Sequence, residues 1–321
     1  APSRGLGDVY KRQPQIHCWV LAGLTLMPTT GNVDPTLGEE NWKSSFMHEE
    51  EIAQPGYHRM YLKDYGIWVE QTATDRTGMY RLTFTQDSDA DILVNLGGYI
   101  ASTTMRNADV KKVSNNEIEG SFDTYGRHWG GPENVKVHFV IRFDKDFERL
   151  DGWRDKERYS DIDTLQGSSI ITRRHPKEEL SYLDSPTSGV SAHYRVKTGD
   201  KICVRTAISY VSVDNARENL ENDAVTWDFD LVKKTSQDEW NKWLGRIEVK
   251  GGSQKQRTKF YTDLWHVLLG RHKIDDVNGE YPDLTEGERY YSYTRNIHPK
   301  TRTLPRGEAV SYTHLRAHET E

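Results

Sequence analysis

The sequence contains two acidic stretches whose oxygen atoms could hold a hard cation such as calcium. Asp87, Asp89 and Asp91 alternate along an extended segment and share one of its sides, and carboxylate oxygens are ligands that calcium prefers. Residues 275–280 also carry carboxylates and an amide, but they do not fit the EF-hand calcium loop. We expect a polar start to a strand at 87–91, an acidic hairpin whose charges are solvated at 275–280, and a metal ion at neither.

Zinc and nucleotide motifs are incomplete in this sequence. His48-Glu49 begins like the helix of a zinc protease, but Ile52 occupies the position of the second histidine ligand. Gly97-Gly98 lacks the other glycines of a nucleotide-binding loop. Spacing alone assigns no set of serine, histidine and aspartate to nucleophilic catalysis. The residues by themselves therefore leave the chemistry open.

The segment YGRHWGGP, residues 125–132, is the best candidate for stacking against a sugar. His128 and Trp129 stand in a glycine-rich loop, and aromatic rings offer a large apolar face with a polar edge. A Trp129 that closes one end of the protein core would produce the same pattern. Both interpretations stay open at this point.

The composition favours a β-rich protein with neither a membrane span nor a nucleic-acid partner. The 321 residues carry a net charge of −6, and the mean hydropathy is −0.82. No apolar run is long enough to cross a bilayer, and no basic stretch is interleaved with aromatics. The nine Trp and seventeen Tyr suit carbohydrate binding as well as core packing. Cys18 and Cys203 are too few for a disulfide framework.

The two ends of the chain look foreign to the protein. DVYKRQ at 8–13 and VSYTH at 310–314 can be encoded by one DNA sequence and its reverse complement. Such a pair is expected where a cloned fragment carries translated adapter sequence on both sides, and segments of this kind are excluded from fold reasoning. We therefore expect residues 1–13 and 310–321 to be non-native tails.

Between residues 14 and 226 the pattern predicts strands joined by turns. Apolar, β-branched and aromatic residues alternate or run together, with clusters of turn residues between them. Because no amphipathic helix separates the strands, we expect antiparallel sheets and a mainly β fold, an antiparallel β-sandwich. We interpret the acidic segment 143–163 as a solvated excursion. The predicted strands are 78–84, 91–99, 135–143, 167–174 and 201–213, with a core of Ile92, Val94, Leu96, Val137, Phe139, Ile141, Ile202, Val204 and Ile208.

After residue 226 the apolar period changes to that of a helix. A linker helix followed by a short strand is predicted over 227–252, with Gly245 ending the helix. A second helix over 254–269 begins at a capping box, and Asn278-Gly279 predicts a hairpin turn. The apolar stripe of the second helix is wider than packing on one sheet requires. It consists of Phe260, Tyr261, Leu264, Trp265, Leu268 and Leu269.

A series of longer motifs follows in a fixed order along residues 20–285. They are LMPTTG (26–31), the stretch 45–84, ILVNLGG (92–98), ISYVSVDNARENL (208–220), WDFD (227–230), the stretch 240–269 and DVNGEY (276–281). In order and spacing, this series resembles glycoside hydrolase family 92, the calcium-dependent exo-α-mannosidases.

The resemblance implies a β-sandwich packed against a C-terminal (α/α)6 barrel, whose first helix would be 254–269. Such enzymes invert the anomeric centre with two carboxylates about 6.5–9.5 Å apart, which leaves room for a water. In the family these carboxylates and the calcium ligands lie in the barrel, so the resemblance implies no catalytic residue and no metal ligand in this chain. A sandwich loop reaches the sugar pocket, and His17 and Trp19 are its nearest candidates, beside His128 and Trp129.

We therefore expect the N-terminal part of an inverting exo-α-mannosidase that acts on mannose-rich glycans. The truncated catalytic domain would start at 253–309, the calcium would lie in the missing barrel, and the chain alone would be inactive. The partners would be mannose-containing glycans and that barrel, and the location would be periplasmic or extracellular. A stand-alone carbohydrate-binding sandwich and a structural or assembly domain are the alternatives. An exposed apolar face on helix 254–269 would argue against the first alternative.

Overall fold

The fold was analysed in a computed structural model of the chain. The structure describes residues 24–38, 41–100, 103–125, 134–169, 187–223, 226–269, 274–283, 288–290, 293–295 and 300–304.

The first two thirds of the described chain form fifteen strands. Many of them are rich in β-branched and aromatic residues, which favour a pleated, half-buried backbone. In chain order they are β1 (Thr25–Thr30), β2 (Ile52–Gln54), β3 (Tyr57–Leu62), β4 (Ile67–Ala73), β5 (Thr77–Phe84), β6 (Ser88–Asn95), β7 (Gly98–Ile100), β8 (Thr103–Ser114), β9 (Glu117–Tyr125), β10 (Asn134–Phe143), β11 (Arg149–Arg154), β12 (Glu157–Tyr159), β13 (Thr164–Gln166), β14 (Ser188–Val196) and β15 (Lys201–Ser209).

These strands pair into two antiparallel sheets. The small sheet has five strands in the order β1-β6-β14-β11-β12. The large sheet has ten strands in the order β13-β8-β9-β10-β15-β5-β4-β3-β2, with β7 paired to β8. The predicted mainly β fold, an antiparallel sandwich, is confirmed.

The core lies between the two sheets because side chains alternate across each strand. Ile92 of the small sheet and Leu82 and Val204 of the large sheet line one small gap between the sheets. The neighbours of Ile92 on β6, Asp91 and Leu93, therefore point outward. All nine predicted core residues are buried, and each such side chain contributes about 1.5–3 kcal/mol when it leaves water.

Among the described residues, three helices follow the sandwich, and the first two pack on the outer face of the large sheet. They are α1 (Val213–Asp223), α2 (Phe229–Leu244) and α3 (Gln254–Leu269). Ala216 and Leu220 of α1 contact Val140 and Ala207 of the large sheet. The apolar side of α2 packs in a second cluster, which contains Phe229, Val232, Tyr57, Met79 and Cys203.

Helix α1 corrects the predicted extent of the strands. The pattern predicted a strand over 201–213, but β15 ends at Ser209 and a helix begins at Val213. The Ser212 hydroxyl accepts a hydrogen bond from the Asn215 backbone N–H at 3.0 Å, as an N-cap does. A helix forms here because this cap is followed by Ala216 and Leu220, which reach the same buried face.

The other two helices begin where the sequence predicted. The Asp228 carboxylate caps α2 by accepting from the Leu231 N–H at 3.1 Å, and Gly245 follows its last residue. The capping box of α3 forms as expected, since the Ser253 N–H donates to Gln256 Oε1 at 2.8 Å. The predicted strand over 246–252 is absent, because this stretch has no partner strand among the described residues.

The acidic segment 143–163 is a second correction. Instead of a solvated excursion, it supplies β11 and β12 to the small sheet. Leu150 and Trp153 are fully buried, as is Phe147 just before β11. Leu150 and Trp153 are three residues apart, so alternation places them on opposite faces of β11, and Arg149 and Asp151 share the face of Trp153.

The part of the chain described beyond α3 contains four short strands: β16 (Glu280–Pro282), β17 (Glu288–Tyr290), β18 (Tyr293–Arg295) and β19 (Thr301–Thr303). β16 pairs with β19, and β17 pairs with β18. The predicted turn at Asn278-Gly279 forms, with Gly279 at φ +87°, but the strand after it pairs with residues 301–303. None of the described helices is long and apolar enough to cross a membrane.

Candidate functional site

The four residues predicted to contact a sugar are His17, Trp19, His128 and Trp129. All four lie outside the described residues. They stay predictions.

The aspartates at 87–91 do not converge on a common point. Asp87 Oδ1 accepts from the Thr198 N–H at 2.7 Å and from its hydroxyl at 2.9 Å. Asp89 lies 3.6 Å from Arg195, and Asp91 accepts from the Ser191 hydroxyl at 2.7 Å. Across the described part of the chain, no group of three or more His, Cys, Asp or Glu side chains is placed to hold a metal ion.

His48 has a structural role rather than that of a zinc ligand. Its Nδ1 lies 2.9 Å from Glu51 Oε2, and the other oxygen of Glu51 lies 2.9 Å from His58 Nε2. One carboxylate thus bridges two imidazoles at the start of β3.

The acidic turn at 275–280 forms a buried polar cluster, which corrects the expectation that its charges are solvated. Asp276 is only 3% exposed, and hydrogen-bond donors surround its carboxylate. Its Oδ2 accepts from the Ser209 hydroxyl at 2.6 Å and from the Asn215 amide at 2.8 Å. Its Oδ1 accepts from the Asn219 amide at 2.7 Å. Three side chains therefore satisfy this buried carboxylate, as burial of a polar group demands.

Asn219 connects three parts of the structure through one amide group. Its nitrogen donates to Asp276 and also to the Ile208 carbonyl oxygen at 3.0 Å. Its oxygen accepts from the Val277 N–H at 2.8 Å. Asn215, one turn earlier, also donates to Glu280 at 2.8 Å. We call Ser209, Asn215, Asn219 and Asp276 the junction cluster.

Burial determines the protonation behaviour of the junction cluster. Loss of water raises the pKa of Asp276 above its ordinary value of 3.8, and the hydrogen bonds from Ser209, Asn215 and Asn219 oppose this shift only in part. Burial also raises the pKa of Tyr210, with a further contribution from the Asp276 charge. The raised pKa of Asp276 therefore reflects its burial in the junction cluster.

Arg76 fixes the same segment from the other side. Its Nε donates to the Asp275 carbonyl oxygen at 2.8 Å, and its Nη2 donates to the Asp275 carboxylate at 2.9 Å. Its backbone N–H donates to Asp223 Oδ2 at 2.9 Å. The turn between β4 and β5, the end of α1 and the turn at 275–280 are thus joined at one arginine.

Sequence reasoning missed the junction cluster because its members are far apart in the chain. A local signal did exist in α1, where Asn215 and Asn219 share the face of Ala216 and Leu220. Two amides on the buried face of a short helix indicate a buried polar partner, because an amide left unsatisfied there is costly.

Helix α3 has no buried residue, although it carries the apolar stripe predicted from the sequence. Trp265 meets Trp240 of α2 edge to face, with ring centroids 6.5 Å apart. The Tyr261 hydroxyl donates to the Ile247 carbonyl oxygen at 3.0 Å. Val267 is 67% exposed. The described chain thus holds α3 at a few points and leaves its apolar stripe half-buried.

Sequence models of two consecutive domains match this chain in order. The model of the glycosyl hydrolase family 92 N-terminal domain matches residues 12–209. The chain belongs to glycosyl hydrolase family 92. The model of the family 92 catalytic domain matches residues 215–306, so α1 begins the region that is assigned to the catalytic domain.

Solved family 92 structures share the fold. The chain is similar to the α-mannosidase BT3965 from Bacteroides thetaiotaomicron, with 22% identity and a TM-score of 0.70 over 91% of this chain. That enzyme has also been solved with mannoimidazole. The inverting mannosidase BT2199 from the same species gives 18% identity and a TM-score of 0.67 over 87% of this chain. A search of curated proteins found no match.

The chain spans about a third of the length of these family 92 structures, 36% of BT3965 and 34% of BT2199. The junction cluster lies where the two family matches meet. Ser209 is the last residue of the N-terminal match, whereas Asn215, Asn219 and Asp276 fall in the catalytic match. The cluster therefore joins the two matched regions with buried hydrogen bonds.

Proposed function

We propose that this chain is the N-terminal part of an inverting exo-α-mannosidase that removes mannose from mannose-rich glycans. The observation that carries the proposal is the ordered pair of family 92 matches, joined by the junction cluster. In this proposal the sandwich holds the start of the catalytic domain in place. The remaining helices of an (α/α)6 barrel follow in the longer protein.

Inversion needs an acid and a base on opposite sides of one sugar, far enough apart to admit a water. Two carboxylates of the acidic turn at 275–280 are committed elsewhere: Asp276 accepts from three side chains, and Asp275 pairs with Arg76. We therefore assign the catalytic pair to the barrel of the longer protein, and we propose that the chain alone is inactive.

Calcium belongs to the same proposal. The described residues do not fit a calcium site, because the aspartates at 87–91 point to different partners and the oxygens of Asp276 are satisfied by amide and hydroxyl donors. We assign the calcium ligands to the barrel and derive no step through the ion in this chain. Contacts to the substrate from His17, Trp19, His128 and Trp129 remain part of the proposal, as does a periplasmic or extracellular location.

Helix α3 supports the proposal against a stand-alone binding module. A finished module does not leave a helix such as α3 without a buried residue, because an exposed apolar patch invites association. In the longer protein the following barrel helices would cover this surface.

The test compares purified chain with the longer protein encoded by the same gene, using α-linked mannobioses in calcium. We expect mannose release by the longer protein only, abolished by a chelator, with β-mannose as the first anomer seen by NMR. Heat-unfolded chain serves as the blank. Chelator-sensitive release by the chain itself would place the site in these residues and overturn the assignment to the barrel. Release of α-mannose would overturn inversion.

A further inference from the structure

A cavity of about 270 Å³ opens on the outer face of the small sheet. Its base is formed by β6, β14 and β11, and the loop that follows β1 closes one side. Because α1 and α2 pack on the outer face of the large sheet, this cavity lies on the opposite side of the sandwich. Its volume corresponds to about nine waters at ~30 Å³ each, which is enough for one sugar ring.

Asp91 is the central acceptor of the cavity. Its Oδ1 accepts from the Ser191 hydroxyl at 2.7 Å and lies 3.2 Å from Nδ1 of His193, which is directly opposite it in the β6–β14 pair. Its Oδ2 accepts no hydrogen bond from the described residues. One oxygen therefore fixes the orientation of the carboxylate, and the other is left for a ligand hydroxyl.

Arg149 and Asp151 form the donor side. Arg149 Nε donates to Asp151 Oδ2 at 2.9 Å, and Asp151 Oδ1 accepts from the Ser160 hydroxyl and the Asp161 N–H, both at 3.0 Å. Both oxygens of this carboxylate are thus engaged, and one of them holds the guanidinium. The remaining N–H groups of Arg149 bond to no described residue, and a guanidinium always presents them as donors.

The cavity also has an apolar part. Leu93 and Trp153 are buried beneath it, and Val33 and Pro35 stand on the loop side. The indole N–H of Trp153 is buried and has no hydrogen-bond partner in the described structure.

These features select a neutral, polyhydroxylated ring. A sugar hydroxyl can donate to Asp91 while a neighbouring hydroxyl accepts from Arg149, since a hydroxyl does both. The C–H face of the ring can pack on the apolar part. The carboxylates of Asp89, Asp91 and Asp151 are set against the guanidinium groups of Arg149 and Arg158, so the mixed charges favour neither a strongly anionic nor a cationic ligand.

We propose that the outer face of the small sheet carries a second carbohydrate site, which binds one neutral hexopyranose ring. Such a site would hold the protein on glycan-rich material on the side away from α1 and α2. The proposal does not depend on hydrolysis, because all its residues lie in the sandwich.

The test is titration calorimetry of the whole chain with methyl α-mannoside, methyl α-glucoside and glucuronate. We expect a neutral glycoside to bind better than glucuronate. Arg149→Gln and Asp91→Asn should each weaken binding about tenfold, as loss of a charge-assisted hydrogen bond does. Arg149 is partly exposed, so its variant should keep the fold even if Asp91→Asn does not.

Asp87→Asn is the matched control. It removes the same charge from the start of β6, but Asp87 bonds to Thr198 and does not line the cavity. Absence of binding by every neutral glycoside would overturn the proposal. So would tighter binding of glucuronate, an unchanged affinity in Arg149→Gln, or an equal loss in Asp87→Asn. If the longer protein failed to hydrolyse mannosides, the proposed function would be wrong, but sugar binding by this chain would be unaffected. The two proposals therefore fail separately.

Discussion

Asp276 is a carboxylate that three side-chain donors satisfy while almost no water reaches it. Hydrogen bonds favour its charged form and burial favours its neutral form, and here burial is the larger effect on the pKa. Glu70 of β4 shows the opposite balance, because Arg81 donates directly to its carboxylate. Burial raises the pKa of Glu70, but its bonds to Arg81 and Tyr57 lower it further, so the pKa falls overall.

The raised pKa of Asp276 predicts a pH dependence of stability. The folded chain binds the proton more tightly than the unfolded chain, so this group contributes its full stability below pH 3.8. The contribution is lost as the pH rises from there through the raised pKa. We expect the free energy of unfolding of the wild type, minus that of Asp276→Asn, to fall over this window and then to level off. Urea titrations of both proteins at several pH values measure the difference. A difference that rises with pH would contradict the prediction.

The strands and helices differ in how well the sequence predicted them. The strands of the core were predicted because their apolar, β-branched and aromatic residues alternate or run together. The short helix α1 was missed because Asn215 and Asn219 make its buried face look polar. β11 was missed because charged residues mask Leu150 and Trp153. In both cases the partner that decides the structure lies far away in the chain, where a local pattern cannot find it.

Helix α3 shows the reverse case, an element that was predicted correctly and whose apolar face lacks a full partner. Leu264 and Leu268 lie one turn apart on this face, and neither is buried. We expect the chain to self-associate at high concentration through α3, because exposed apolar area is removed from water on contact. Leu264→Glu with Leu268→Glu should shift sedimentation to the monomer and reduce binding of an apolar dye. Lys255→Glu with Lys259→Glu is the control on exposed positions of the same helix. A wild type that stays monomeric at high concentration would count against the prediction.

Across the whole molecule, the family 92 catalytic match is tied to the sandwich by α1 and α2, which pack on the large sheet, and by residues 274–283. Ser209 ends the sandwich, α1 starts the catalytic match, and Asp276 follows α3. The helix α3 between them makes little contact with the rest of the described chain. The position of residues 274–283 on the sandwich therefore depends on the junction cluster, on Arg76 and on the packing of Ile274 with Val135, rather than on the chain connection through α3.

This dependence predicts how the molecule opens when the cluster is broken. Asn219→Ala removes one hydrogen bond to the Asp276 carboxylate and one to each of two backbone groups. We expect the free energy of opening this region to fall by about 3 kcal/mol, because a buried charge loses a donor. The amide of Val277 should then exchange its hydrogen much faster, while the amides of β6 and β14 stay protected, since local opening follows local stability. Hydrogen exchange by NMR measures both in one experiment.

Asn222→Ala is the control, because Asn222 lies on the exposed side of the same helix and donates only to the Glu218 carbonyl oxygen. If hydrogen exchange accelerated equally at the Val277 amide and at the amides of β6, the cluster would be part of the global fold rather than the link between its two regions.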